Sequence, residues 1–590
     1  MYKKITRYFF LLILFTGIMV LPVGCDKQKD PRQIQADFDA FTNDIFVQTV
    51  QTDTLTLNYS LAVPEEYGIE KPDITLGEFT VDEMKEQISI SENYLKRLKA
   101  FDYNSLTEDQ QLTYDILKNY LELNLTSGDF LYYTECLGPT TGIQAQLPIL
   151  LAEYNFYTRE DIDDYIKLLP CVYGYFEDIA EFEREKSKRG LFMRDEVADS
   201  IIDQCKAFIE NPKENFLIEY FNEKIDGYEG LSKEEKASYK ANNLKAILNY
   251  VIPAYQLLID TLTELKGTGI NKAGLYYYPD GQSYYEYLAK VKTGSGRSME
   301  ELADLLETAI GDELLQITRI VLAHPDILDR YMEFTSFPIT DPEAILDDLK
   351  KDIVEDFPEP VPVSCEIKYV DDSLADYLSP AMYLVPAIDE YKDNNIYING
   401  NDEETLARIY TTVAHEGYPG HLYQCVYFRD QNPAPIRNIM DFVGYDEGWA
   451  TYVEHYSYQL AGIDETMAEF LESNSAAMLF MYARADIGIH YEGWNEKKAL
   501  AYINSIVGDQ DNATSKIIYD TLLEEPAVYL PYAVGFLEIY GLKKKAEDTL
   551  GAEFDARAFH KFLLDIGPAQ FTIIEDYFNR WLQAKAAANY

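Results

Sequence analysis

The pair Pro419-Gly420 falls where helical periodicity would otherwise run on unbroken. Leu406, Ile409, Tyr410 and Val413 recur at i, i+3, i+4 and i+7, one apolar stripe of a helix whose start Asn401 or Asp402 can cap. The stripe leads directly into HEGYPGH, residues 415 to 421. Proline lacks an amide proton and its ring crowds the preceding turn, while glycine reaches dihedrals closed to other residues. A kink or bulge at Pro419-Gly420 is therefore expected, and it decides what the two histidines can do. On a regular helix of about 3.6 residues per turn, positions i and i+6 point well apart, so His415 and His421 could not share an ion. If Pro-Gly loops out as a two-residue insertion, His421 returns to roughly the place of an i+4 residue.

Two histidines need a third ligand to make a catalytic metal site with an open position. YDEGWATYVEHY starts a second helix, with Trp449, Tyr452, Val453 and Tyr456 on its apolar face, Glu447 in its first turn and Gly462 closing it. His415, His421 and Glu447 form a His₂Glu set suited to Zn2+, and Glu416, beside the first ligand, is placed to act as general base. The alternatives are ordinary ones. The histidines could be core or capping residues around a simple turn, and an acid in a first helical turn is favoured by the helix dipole anyway. Glu454 and His455 read as helix-surface residues or supports of the ligands. The chain has six histidines, and four of them lie between 415 and 490. Tyr532 in LPYAVG and His490 in RADIGIH are candidates to stabilise an oxyanion. Taken singly, each is read more readily as packing, and Arg484 with Asp486 as a structural pair. GIQAQLP and YPDGQSYYEYL look like loop and turn chemistry bordering a cleft.

At 590 residues the chain exceeds what one compact core usually holds. Its formal net charge of −50 argues against nucleic acid as a partner, since phosphates call for clustered Lys and Arg. It is compatible with basic ligands, though a solvated acidic exterior explains it equally well. Amphipathic helical patterns dominate, and Ser232/Glu235 and Ser298/Glu301 are capping boxes ahead of long runs. Strand signals are few: the period-2 run Val361, Val363, Cys365, Ile367, Tyr369, and NIYING at 395 to 400. The fold class expected is mainly α, with a small sheet beside the active-site cleft. No internal repeat is present.

The first residues carry Lys3, Lys4 and Arg7 and then an apolar run from Tyr8 to Val20. The run is shorter than the roughly 20 residues of a membrane span and fits a secretory signal over residues 1–24. Gly24-Cys25 resembles a bacterial lipobox, although Pro22-Val23 departs from its usual Leu-(Ala/Ser). The expectation is a Cys25-lipidated protein on the outer face of the cell membrane, touching the membrane only through that lipid; plain secretion is the alternative. Residues 25–40 are expected as a tether, 41–270 as a helical N-terminal part and 271–590 as the part carrying the chemistry. Cys136, Cys171, Cys205, Cys365 and Cys425 are scattered, which is no disulfide framework.

HEGYPGHLYQ (415 to 424), EGWATYVE (447 to 454), DIGIH (486 to 490) and YAVG (532 to 535) occur in that order. Together they resemble the bacterial family labelled domain of unknown function 885, recognised by HExxPGHxxQ, EGWAxYxE, D-x-G-x-H and Y-x-x-G. The likeness extends through YYYPDGQSYYEYL and NNIYING to most of the chain. The family looks like distant kin of helical zinc peptidases such as thimet oligopeptidase and carboxypeptidase Taq. The resemblance implies an elongated, two-lobed helical fold and zinc-dependent hydrolysis. In it His415, His421 and Glu447 match the metal ligands, Glu416 the general base, and Tyr532 and His490 polar positions facing substrate. Where the family usually has Arg after Y-x-x-G, this chain has GLKKKAED, which puts a guanidinium contact there in doubt. The function expected is a cell-surface zinc metallohydrolase, a monomeric peptidase of short peptides or small amides. A non-catalytic ligand-binding lipoprotein and a hydrolase of other amides or esters are the alternatives.

Overall fold

Local signals set many of the helix starts. Ser232 and Ser298 form reciprocal capping boxes with Glu235 and Glu301, as their spacing predicts. The computed structural model describes residues 30–370, 379–400, 403–508 and 513–588. The signal-like segment, Cys25 and the expected caps Asn401 and Asp402 lie outside them. The fold is mainly α with one small sheet. The helices that position the site are α1 (Pro31–Val50), α2 (Gly281–Thr293), α3 (Met299–Ala323), α4 (Tyr410–Glu416), α5 (His421–Asp430), α6 (Val443–Ser457), α7 (Glu465–His490) and α8 (Leu530–Leu550).

Both expected strands form, as β1 (Ser364–Tyr369) and β3 (Asp393–Ile398), and they pair in parallel. Val361 and Val363 precede the paired segment. A third strand, β2 (Ala381–Leu384), runs antiparallel to β3, giving the order β1-β3-β2. Its four residues are too few for a readable period-2 pattern, and its outer side includes the Tyr383 amide, which bonds outside the sheet.

Most buried apolar side chains fall into two clusters. One gathers residues between Cys136 and Leu265 with Leu55 and Leu76. The other joins residues 275 to 582 to the first helices, including Phe38, Phe46, Ile116 and Leu121. The expected division at residue 270 therefore does not follow the cores, because the N-terminal helices pack with the C-terminal part. The expected tether over 25–40 is also corrected. From Pro31 onward it is α1, capped by Asp30, with Ile34 and Phe38 buried. Its apolar positions, Ile34, Phe38 and Phe41, lie at helical spacing inside a polar composition, and that spacing outweighs the composition.

The abundance of tyrosine has a physical account here. Buried rings supply apolar area, and their hydroxyls find acceptors in an acid-rich chain. Tyr410 donates to Asp348, Tyr423 to Pro358 O, Tyr445 to Leu563 O and Tyr285 to Asp486.

The contact that positions the site is between α6 and α8. A Cβ on Gly448 would fall 2.6 Å from Gly535 Cα, and one on Gly535 would fall 2.1 Å from Gly444 O. Only glycine allows this approach. Gly535 of YAVG thus sets a helix spacing, and one turn before it on the same helix stands Tyr532. Gly535→Val should cost about 1–3 kcal/mol of stability through overpacking. Thermal unfolding reads this directly, and an unchanged melting temperature would contradict the close approach.

Candidate metal centre

The helix carrying the first histidine ends where the sequence requires. α4 stops at Glu416, Gly417 turns away (φ −107°, ψ −101°), the Tyr418-Pro419 bond is cis, and α5 begins at His421. Gly420 N–H donates back to Ala414 O at 3.0 Å, and a Cβ on Gly420 would fall 1.7 Å from His415 O. The segment folds onto the end of α4 and delivers His421 beside His415, with ring centroids 4.8 Å apart and 81° between planes. α6 holds this turn in place. Trp449 Nε1 donates to Pro419 O at 2.8 Å, and Gln424 Nε2 of α5 donates to Asp446 Oδ1 at 3.0 Å.

Glu447 completes the cluster. Its Oε2 lies 3.4 Å from His415 Nε2 and 3.4 Å from His421 Nε2. Ligand atoms of the three residues all lie within 4.8 Å of one another. α6 starts at Val443, so Glu447 stands one turn inside the helix rather than in its first turn, and helix-dipole stabilisation does not account for it. Glu454, seven residues on, shares its face and accepts from His415 Nδ1 at 3.0 Å. A carboxylate on the far nitrogen of an imidazole fixes its tautomer and turns Nε2 toward the cluster, the arrangement metal-ligating histidines usually show.

The electrostatics agree with a site built for a cation. Burial opposes ionisation of Glu447, yet the two imidazoles hold its carboxyl well below the usual range. Burial likewise opposes charge on His415, but Glu447 and Glu454 keep it well above the ordinary imidazole value. Glu447 Oε2 is buried, and at 3.4 Å from each imidazole nitrogen it makes no close hydrogen bond. Two imidazoles, once an ion displaces the proton these carboxylates hold on them, and one carboxylate are the donor types of a catalytic zinc site.

Glu416 sits beside the cluster, held from an unexpected direction. Backbone N–H of Tyr383, on β2, donates to Glu416 Oε2 at 2.7 Å. Tyr532 lies over His415, ring centroids 6.4 Å apart. Burial, then the nearby carboxylates Glu447 and Glu416, keep its phenol protonated well above the usual range, so it remains a donor.

His490 does not join them. Its Nδ1 accepts from Leu275 N–H at 3.0 Å and its Nε2 donates to Leu522 O at 2.8 Å, in a fully buried position stacked on Tyr285. The expectation that it serves an oxyanion is corrected, because its one N–H is already spent. Asp486, one turn earlier, accepts from Tyr285 Oη and from Ala527 N–H. Arg484 pairs with Glu307 and Glu492 rather than with Asp486. The DIGIH segment is therefore a tie between α2, α7 and the chain leading to α8.

A family model for bacterial proteins of unknown function, DUF885, matches residues 64–576. The chain belongs to the DUF885 family. Among solved structures this DUF885 chain is similar to a candidate lipoprotein of Colwellia psychrerythraea, with a TM-score of 0.80 and 19% identity over 94% of this chain and 99% of that one. It is also similar to a candidate lipoprotein of unknown function from Shewanella oneidensis, with a TM-score of 0.58 and 17% identity over 93% of this chain and 99% of the other. At these identities the likeness shows the fold. No curated protein matches the chain.

The buried histidines outside the cluster predict a pH effect. Burial pushes His490 and His560 down to about 4. Between pH 6.5 and 4 the unfolded chain protonates both while the folded chain does not. Each therefore removes up to about 1.4 kcal/mol of stability per pH unit as pH falls through that window. Asp486, which burial pushes up to about 7, works with the opposite sign, so the comparison must be variant against wild type. Denaturant unfolding of His490→Gln should show a smaller loss on going from pH 7 to 4.5 than the wild type. Parallel pH curves would contradict a neutral, buried His490.

Proposed function

We propose that this DUF885 chain is a zinc-dependent metallohydrolase of the cell surface, a peptidase acting on short peptides. The observation that carries the reading is the convergence of His415 Nε2, His421 Nε2 and Glu447 Oε2, with Glu416 adjoining His415 in the chain. His415, His421 and Glu447 would hold the ion and leave one position open for substrate. Zinc, when bound, supplies Lewis acidity that polarises a carbonyl and lowers the pKa of water.

The chain's own residues do the rest. Glu416, fixed by the Tyr383 amide, takes a proton from the water whose oxygen attacks the carbonyl carbon. The same carboxyl returns that proton to the nitrogen as the C–N bond breaks. Tyr532, kept protonated, donates to the oxyanion formed in between. Glu454 orients His415. The reading carries with it a two-lobed arrangement, supported by the two hydrophobic clusters.

The same reading places the protein outside the cytoplasm, anchored through a lipid on Cys25. The apolar run before Cys25 and the lipoprotein descriptions of both structural relatives support it. Among the described residues no helix is long and apolar enough to cross a membrane.

Glu416→Gln should keep stoichiometric zinc and lose about 10²–10⁴-fold in kcat on a peptide library. A variant with zinc and full activity would sink the mechanism. Glu454→Gln should weaken zinc binding by about 10–100-fold, read by competition with a chelator, whereas unchanged affinity would remove Glu454 from the site.

A further inference from the structure

Beside the metal cluster lies a pocket of about 340 Å³ with two arginines in its wall, in a chain of net charge −50. One face of α5 forms a side of it. His421, Cys425, Phe428 and Arg429 recur there at helical spacing and all line the pocket. Arg437, in the turn Pro435–Asn438, lines it too and lies over the Phe428 ring at 5.4 Å.

Both guanidinium groups are held by neutral partners. Arg437 Nη2 donates to Ile566 O at 2.7 Å and to Pro568 O at 3.1 Å. Arg429 Nη1 donates to Pro386 O at 2.7 Å and to Ala387 O at 3.2 Å. Among the described residues neither has a carboxylate within ion-pair distance, unlike Arg297 with Glu538 or Arg484 with Glu307 and Glu492. Arg437 is 4% exposed, and its buried Nε has no hydrogen-bond partner. The buried guanidinium of Arg437, with only carbonyls and the Phe428 ring as partners, carries a charge no carboxylate compensates, and its fork geometry suits one. The pocket's acids are engaged or peripheral. Glu447 belongs to the metal cluster, Asp446 accepts from Gln424, and Asp441 is exposed at the edge.

We propose that Arg437, with Arg429, receives the C-terminal carboxylate of the peptide substrate, so that the enzyme removes short C-terminal fragments. This rests on the peptidase reading of the adjoining site. The length supports it. Eight residues along α5 separate His421 from Arg429 by about 12 Å, at about 1.5 Å per residue. An extended peptide advances about 3.4 Å per residue, and a side chain on a helix leans toward the helix N-terminus, here the His421 end, which shortens the span. One or two residues therefore fit between the scissile bond and the carboxylate.

The test is binding, which separates this proposal from turnover. Zinc-loaded full-length Glu416→Gln protein is titrated with N-acetylated dialanine as the free acid and as the C-terminal amide. The free acid should bind at least about tenfold more tightly, as expected for charge-assisted bidentate hydrogen bonds. Adding Arg437→Gln or Arg429→Gln should pull that ratio toward one, with folding checked by thermal unfolding. If Arg437→Gln fails to fold, the half-buried Arg429 position decides. Equal binding of acid and amide overturns the proposal. So does an acid preference that survives both substitutions, which would place the carboxylate on the metal instead. Lack of cleavage by the wild type would overturn the peptidase reading without altering this binding result.

Discussion

Everything in the site depends on the chain turning back on itself between Glu416 and His421. Two histidines six residues apart meet one carboxylate only if the helix stops, and the stop is enforced from both sides. Within the segment, Gly420 donates its amide to Ala414 O and lies so close to His415 O that no side chain would fit. From outside, Trp449 holds Pro419 O, and Trp449 lies two residues from Glu447 on the same helix. The clamp and the Glu447 carboxylate are thus one structural unit. Fixing the turn also fixes Glu447 against the imidazoles.

The second constraint is the glycine contact between α6 and α8. Gly448 follows Glu447 directly, so the backbone that carries this carboxylate is pressed against α8 at Gly535. Tyr532 is brought over His415 by that contact. The four sequence motifs therefore divide their labour. HEGYPGHLYQ and EGWATYVE supply the candidate ligands, the candidate base and the residues that hold them. YAVG supplies a spacing and a phenol, and DIGIH ties buried helices together through Asp486 and His490.

Much of the His-Glu cluster was legible in the sequence because its logic is local. The apolar stripe ahead of HEGYPGH, the Pro-Gly break and the helical setting of Glu447 follow from periodicity and backbone chemistry. Glu454 could be sought by the same reasoning, seven residues from Glu447 on one helical face. What was not legible is long-range. β2 is four residues long, and its amide reaches Glu416 across 33 residues of chain. The duties of His490 come from Leu275 and Leu522, which no spacing rule connects. The helix that begins at Pro31 is masked by a polar composition, and only the apolar spacing of Ile34, Phe38 and Phe41 marks it. The arginines of the adjoining pocket carry no motif. They stand out only once their acceptors are known to be backbone carbonyls.

The most direct test of the account is anomalous diffraction at the zinc edge from crystals of the full chain grown with zinc. The account predicts one strong peak bounded by His415 Nε2, His421 Nε2 and a Glu447 carboxylate oxygen, each about 2.0–2.2 Å away, with Glu416 beside the ion and not bound to it. A peak elsewhere, or an ion at this place that leaves out one of the three, would contradict it.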